Sequence, residues 1–247
     1  MTKSLGVLRA VNSIAGHLTP GLSAQLATHL LLHPRAQPPR AWELAAAESA
    51  RRITFRFGLS GLRWGEEGGP VVLMMHGWEG RPTQFASFIA PLVARGRQVI
   101  ALDAPAHGES AGDTATLMEF AMALLEAAVE VRNLESVVGH SMGAAAAAIA
   151  LAQGLFADRA VLLAPASGIT AGDVRFRETL STLDVPALIV HDDADAIVPH
   201  AEAQAIARAW RGAQMLTTTG LGHWKVLADH SVATKVAAFL TPADFFH

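Results

Sequence analysis

The rhythm of apolar and polar positions changes near residue 50. Upstream, Val7, Leu8, Val11, Ile14, Ala15 and Leu18 recur at helical spacing, and Thr19-Pro20-Gly21 ends that run. A second helix is expected over Ser23 to Leu32, stopped by Pro34. After the irregular Pro38-Pro39 a third is expected over Ala41 to Ala50. Residues 1–50 therefore read as an N-terminal helical extension docked by its apolar face. The alternative, an amphipathic lid or membrane-surface helix, is disfavoured because the polar face is not rich in Lys or Arg.

From about Arg52 short apolar runs alternate with amphipathic stretches. Ile53 to Phe57 and Leu62 to Trp64 predict an antiparallel pair turning at Ser60-Gly61. Val71 to Met75 is wholly apolar, as in a strand covered on both faces. Further strands are predicted at Val99 to Leu102, Ser136 to Gly139, Ala160 to Ala164, Ala187 to Val190 and Gln214 to Thr217. Between and after them the periodicity predicts helices over Phe85 to Ala94, Leu117 to Val131, Ala144 to Ala152, Ala201 to Trp210 and Lys225 to Leu240. Strands alternating with helices imply an α/β, doubly wound, mostly parallel sheet with helices on both faces. Its functional site is expected at the carboxyl ends of the strands. The division is 1–50 for the extension and 51–247 for a single α/β domain.

Composition narrows the choice of function. Of 247 residues 51% are hydrophobic, enough for one core, and the net charge of −3 gives no reason to expect nucleic acid or an anionic membrane as partner. With no cysteine, disulfides, thiolate metal sites and a cysteine nucleophile are excluded. No apolar run reaches the roughly 18 residues that would span a bilayer. Lys3 and Arg9 precede an apolar stretch broken by Asn12, Ser13 and His17, a poor signal peptide. A soluble, cytoplasmic protein is expected.

The chemistry lies at the strand ends. Gly139-His140-Ser141-Met142-Gly143 stands between an apolar run and an alanine-rich helix. A G-x-S-x-G in that setting is a nucleophile elbow, a sharp turn that exposes the serine hydroxyl. The two glycines are small because strand and helix backbones approach closely there. A serine hydroxyl needs a base, normally a histidine held in one tautomer by a carboxylate. Gly220-Leu221-Gly222-His223-Trp224 follows the last predicted strand, and its glycines predict a mobile loop that carries His223 across the strand ends. Asp192, Asp193 and Asp195 follow the strand at Ala187. Asp195, just before Ile197-Val198-Pro199, is preferred, Asp193 is the reserve, and Asp192 reads as a turn or cap residue. Backbone N–H groups of Met142 and of Trp78, after His76-Gly77, are the candidate oxyanion donors. His76 reads as a structural pin for its loop, and Asp103 to Ser110 as a structural turn beside the site. Trp78, Met142 and Trp224 would line an apolar acyl pocket.

These segments together resemble the α/β-hydrolase superfamily, in its serine esterase and lipase-like branch, over about Val71 to Leu240. His76-Gly77-Trp78, Asp103 to Ser110, Ser141, Asp195 and Gly222-His223 occur in the family's order. The resemblance implies a catalytic triad of Ser141, Asp195 and His223, with no cofactor and no metal. It implies a carboxylesterase acting on a small-molecule ester of small or medium acyl chain. A thioesterase, an amidase or a carbon–carbon bond hydrolase would use the same residues, although the net negative charge disfavours an acyl-CoA. A non-catalytic binding protein on this fold fits less well, because every triad position is filled. Many members insert a sizeable helical cap where this chain has only a short segment, 166–186, with room for one helix over Arg175 to Leu183. Either the site is open, or the N-terminal helices roof it.

Overall fold

The apolar runs become the interior of one eight-stranded sheet in the computed structural model, which describes residues 32–166 and 174–242. The strands are β1 (Arg51–Thr54), β2 (Ser60–Trp64), β3 (Val71–Met75), β4 (Gln98–Asp103), β5 (Leu134–His140), β6 (Arg159–Leu163), β7 (Ala187–Asp192) and β8 (Gln214–Thr218). They lie in the order β1-β2-β4-β3-β5-β6-β7-β8. β1 and β2 pair antiparallel, β2 and β4 likewise, and every other pair is parallel.

Period-two alternation assigns side chains to the two faces. Leu73, Met75, Val137, Leu162 and Ile189 face one core cluster, while Val72, Met74, Val138, Val161 and Val190 face the other. Helices α3 (Leu117–Glu130), α4 (Met142–Ala152), α5 (Val174–Ser181) and α6 (His200–Ala209) cover the first face. Helix α2 (Ala86–Val93) and the C-terminal α8 (His230–Leu240) cover the second. Two elements complete the set: α1 (Leu44–Ser49), entered through a 3-10 turn at Ala41–Glu43, and the single turn α7 (Gly222–Lys225). In α4 every residue from Gly143 to Leu151 is buried. Its alanines let it sit against β5 and α3 at short range, and a helix apolar all round belongs in such an interior.

Three expectations are corrected. The first hairpin does not turn at Ser60-Gly61, because those residues already pair with Thr54 and Ile53. The turn is Phe55 to Leu59, where Phe57 has φ 59°. The helix expected over Lys225 to Leu240 is two pieces, because Asp229 caps α8 by accepting the Val232 N–H at 2.8 Å. His223 stands on the helical turn α7 and not in an irregular loop. The expected cap helix is α5, one short element. The helix expected over 7–18, and that expected over 23–32 except for Leu32, lie outside the described residues. Among the described residues no helix is long and apolar enough to cross a membrane.

β3 has β4 on one side and β5 on the other, so the connections after β3 and after β4 leave in opposite directions. The carboxyl ends of β3 and β5 flank the crevice that this reversal opens. Ser141 follows β5 there, and His76 to Trp78 follow β3.

Candidate active site

Ser141 joins β5 to α4 with φ 55° and ψ −119°. A serine in that region is strained and persists only when its surroundings dictate it. Its N–H donates to Leu163 C=O at 2.9 Å, and its own carbonyl accepts N–H groups from Ala144, Ala145 and Ala166. A β-carbon on Gly139 would overlap the backbone of Gly143 and Ala144, and one on Gly143 would overlap the carbonyls of Met75 and His76. The second glycine is therefore required by the neighbouring strand β3, and not, as expected, by its own strand and helix.

The loops after β7 and β8 bring two more side chains to the serine. His223 Nε2 lies 3.0 Å from Ser141 Oγ, and His223 Nδ1 lies 2.8 Å from Asp195 Oδ2. An ionised carboxylate only accepts, so Nδ1 carries the proton and Nε2 is left to accept from the serine hydroxyl. Asp195 Oδ1 also accepts the N–H groups of Ile197 (2.7 Å) and Val198 (3.0 Å). Burial would raise this carboxyl's pKa, but the bonds from His223, Val198 and Ile197 outweigh it and hold it below the ordinary value.

The other two aspartates have separate work. Asp192 is buried and accepts from the Ala194 N–H, the Thr218 hydroxyl and the Leu221 N–H. Burial opposes its ionisation, yet bonds from Gly222, Leu221, Thr218 and Ala194 keep its pKa low. Asp192 thus fastens the entry to α7. Asp193 accepts from the Thr219 hydroxyl at 2.8 Å.

Three buried histidines frame the site. His140 donates from Nε2 to the His223 carbonyl at 3.0 Å, which ties α7 to the elbow. Burial, reinforced by neighbouring His223, lowers its pKa to about 3, so it is neutral. His191 donates from Nε2 to Val198 C=O at 3.0 Å, its pKa lowered by burial, and so secures the Asp195 loop. His76 donates from Nδ1 to Gly77 C=O and accepts the Ala104 N–H at Nε2, which pins the loop after β3. Burial lowers its pKa too, to about 3. Gly77 is so close to the serine that an added β-carbon would lie 2.8 Å from Ser141 Cβ. Met142 opens α4, so its N–H has no partner within the helix. Asp103 and Ser110 tie down the turn beside the site, through Ser60 Oγ–H to Asp103 (2.8 Å) and Ser110 Oγ–H to Asp103 C=O (2.6 Å).

The chain preceding β1 supplies residues that the pattern reading missed. Glu43, with no solvent exposure, accepts from Arg81, from the Thr83 hydroxyl and from the Arg40 N–H. Arg35 and Gln37 donate to Glu79, the residue after Trp78. Arg40 lies over the Trp224 ring, 5.0 Å from its centroid, and that ring is 5.2 Å from the His223 ring. The one sequence signal was a glutamate three residues after Arg40 at a helix start, the spacing at which a side chain reaches back to the cap N–H. Among the described residues no cluster of three or more His, Asp or Glu side chains could hold a metal ion.

Residues 71–184 match the model of an alpha/beta hydrolase family, and residues 167–245 match that of a family described as TAP-like protein. Two solved structures are similar along most of their length. The carboxylesterase CesB from Bacillus subtilis is 18% identical with a TM-score of 0.64, over 81% of this chain and 95% of that one. An esterase of Pyrococcus furiosus is 16% identical with a TM-score of 0.66, over 84% of this chain and 98% of that one. At such identities the likeness is one of fold. A curated protein of Pseudomonas putida, the dihydrolipoyllysine-residue acetyltransferase component of its acetoin cleaving system, is 41% identical over 92 residues. That match covers 34% of this chain, and the chain spans only 24% of that protein.

Proposed function

The chain belongs to the α/β-hydrolase superfamily, and from that membership we propose that it is a serine hydrolase of carboxylic esters with small or medium acyl chains. His223 Nε2 takes the Ser141 proton as Oγ attacks the ester carbonyl. The N–H groups of Trp78 and Met142 receive the oxyanion, aided by the positive end of α4. Asp195 keeps the Nδ1–H tautomer and stabilises the imidazolium. The alcohol departs with the proton from His223. Water, deprotonated by the same ring, then releases the acid and restores Ser141. Trp78, Met142 and Trp224 would line the acyl pocket.

The observation that carries this reading is the continuous pair of contacts, 3.0 Å and 2.8 Å, from Ser141 through His223 to Asp195. The test is covalent labelling. A fluorophosphonate should form one adduct on Ser141 in the wild type and none in Ser141→Ala or His223→Ala. Turnover of a panel of esters, thioesters and amides graded by acyl length should fall by about 10⁴-fold or more in both variants. Folded wild-type protein that takes no label would refute the activated serine.

A further inference from the structure

Residues 37–40 run past Trp78 and Trp224, and between them lies a cleft of about 280 Å³. The charges on its walls do not balance. Arg81 is engaged by the two oxygens of buried Glu43, and Glu79 is engaged by Arg35 and Gln37. Arg40 has no carboxylate partner among the described residues, and its guanidinium lies against the face of Trp224. A guanidinium over an indole is held in place by the ring, yet keeps its N–H donors for an oxyanion in a forked geometry. Gln84 lines the same cleft, is only 3% exposed and has an amide oxygen without a partner. That acceptor does not meet an oxyanion, which also only accepts; it suits an N–H or O–H donor elsewhere on the same ligand.

The position of this cation relates it to the reaction centre. From Arg40 the contacts pass to Trp224 at 5.0 Å, to the His223 ring at 5.2 Å and on to Ser141 at 3.0 Å. We propose that Arg40 is a specificity-determining residue and that the substrate ester carries a carboxylate or phosphate group which reaches it through the Trp78–Trp224 cleft. This rests on the hydrolase reading above. The overall charge of −3 does not oppose it, since at physiological salt an ion responds to charges within about 8 Å.

Matched esters test it. Phenyl hexanoate is compared with monophenyl adipate, which adds a carboxylate to the acyl arm. It is also compared with 4-(hexanoyloxy)benzoate and 4-(hexanoyloxy)phenyl phosphate, which put a carboxylate or a phosphate on the alcohol arm. The wild type should favour at least one anionic ester in kcat/KM. Arg40→Gln should lower that anionic-to-neutral ratio about tenfold, chiefly through KM, and Arg40→Lys should restore part of it. A ratio that Arg40→Gln leaves unchanged would make Arg40 only a strut and overturn the proposal. Calorimetric binding of monophenyl adipate to Ser141→Ala, with and without Arg40→Gln, separates the two readings. Binding that needs Arg40 and weakens with salt supports the subsite even if no ester is turned over, in which case the hydrolase reading alone fails. Binding indifferent to Arg40 overturns the subsite.

Discussion

Ser141 and its two glycines show how little freedom the elbow leaves. The serine has a positive φ that an L-residue adopts reluctantly, and both glycines face backbone that cannot move aside. Gly139→Ala and Gly143→Ala should each destabilise the fold by about 3 kcal/mol or more, beyond an ordinary surface change, because the added methyl meets carbonyl and Cα atoms and not a flexible side chain. Urea unfolding of the two variants beside the wild type, with the exposed Glu48→Ala as a surface control, checks this. The glycine requirement was legible in the pentapeptide, although the partner of Gly143 was not. The choice among the three aspartates was only partly legible. They lie within four residues on one loop, and the direction of each side chain follows from turns that composition does not encode.

α7 is the clearest case of an element whose form differs from its local signals. Gly220 and Gly222 suggested a mobile loop, and both do have positive φ. Long-range bonds nevertheless tie the segment down, Asp192 holding the Leu221 N–H and His140 holding the His223 carbonyl. Asp192→Ala removes the acceptor shared by Ala194, Thr218, Leu221 and Gly222 without touching the reacting atoms. On the proposed serine-hydrolase reading it should lower kcat by tenfold or more, since displacement of a catalytic group by about 1 Å costs on the order of 10²-fold. Unchanged kcat in a folded Asp192→Ala protein would show that α7 holds its place without this carboxylate. The chain before β1 makes a similar point, since residues 35–43 are tied to the loop after β3 by Glu43, Glu79, Arg35 and Arg81.

Across the protein the buried histidines couple stability to pH. His76 and His140 stay neutral in the fold until about pH 3, whereas an unfolded histidine protonates near 6.5. Below about pH 6.5 the unfolded chain binds protons that the fold excludes, so the free energy of unfolding falls as pH falls. Well below pH 6.5 the slope approaches about 1.4 kcal/mol per pH unit for each histidine. Asp192 and Asp195, whose folded pKa values are lowered, act in the same direction at more acid pH, their contribution disappearing as pH falls below about 4. Between pH 7 and pH 5 the two histidines should lower stability by about 4 kcal/mol. Urea midpoints across that range report it, and a constant midpoint would contradict the burial of neutral imidazoles.

The order of strands and helices, the two-sided cover of the sheet and the candidacy of Ser141 and His223 were legible along the chain. Each depends on spacing within a few residues: alternation in a strand, a stripe on a helix, glycines around a turn. Other properties required the folded chain. The order of strands across the sheet, the carboxylate that meets His223 from 28 positions away and the serine that meets it from 82 away are products of packing. The meeting of Arg40 with Trp224 belongs with them. No local pattern marks such pairs, because burial and the hydrogen bonds of distant loops select them only after the sheet has assembled.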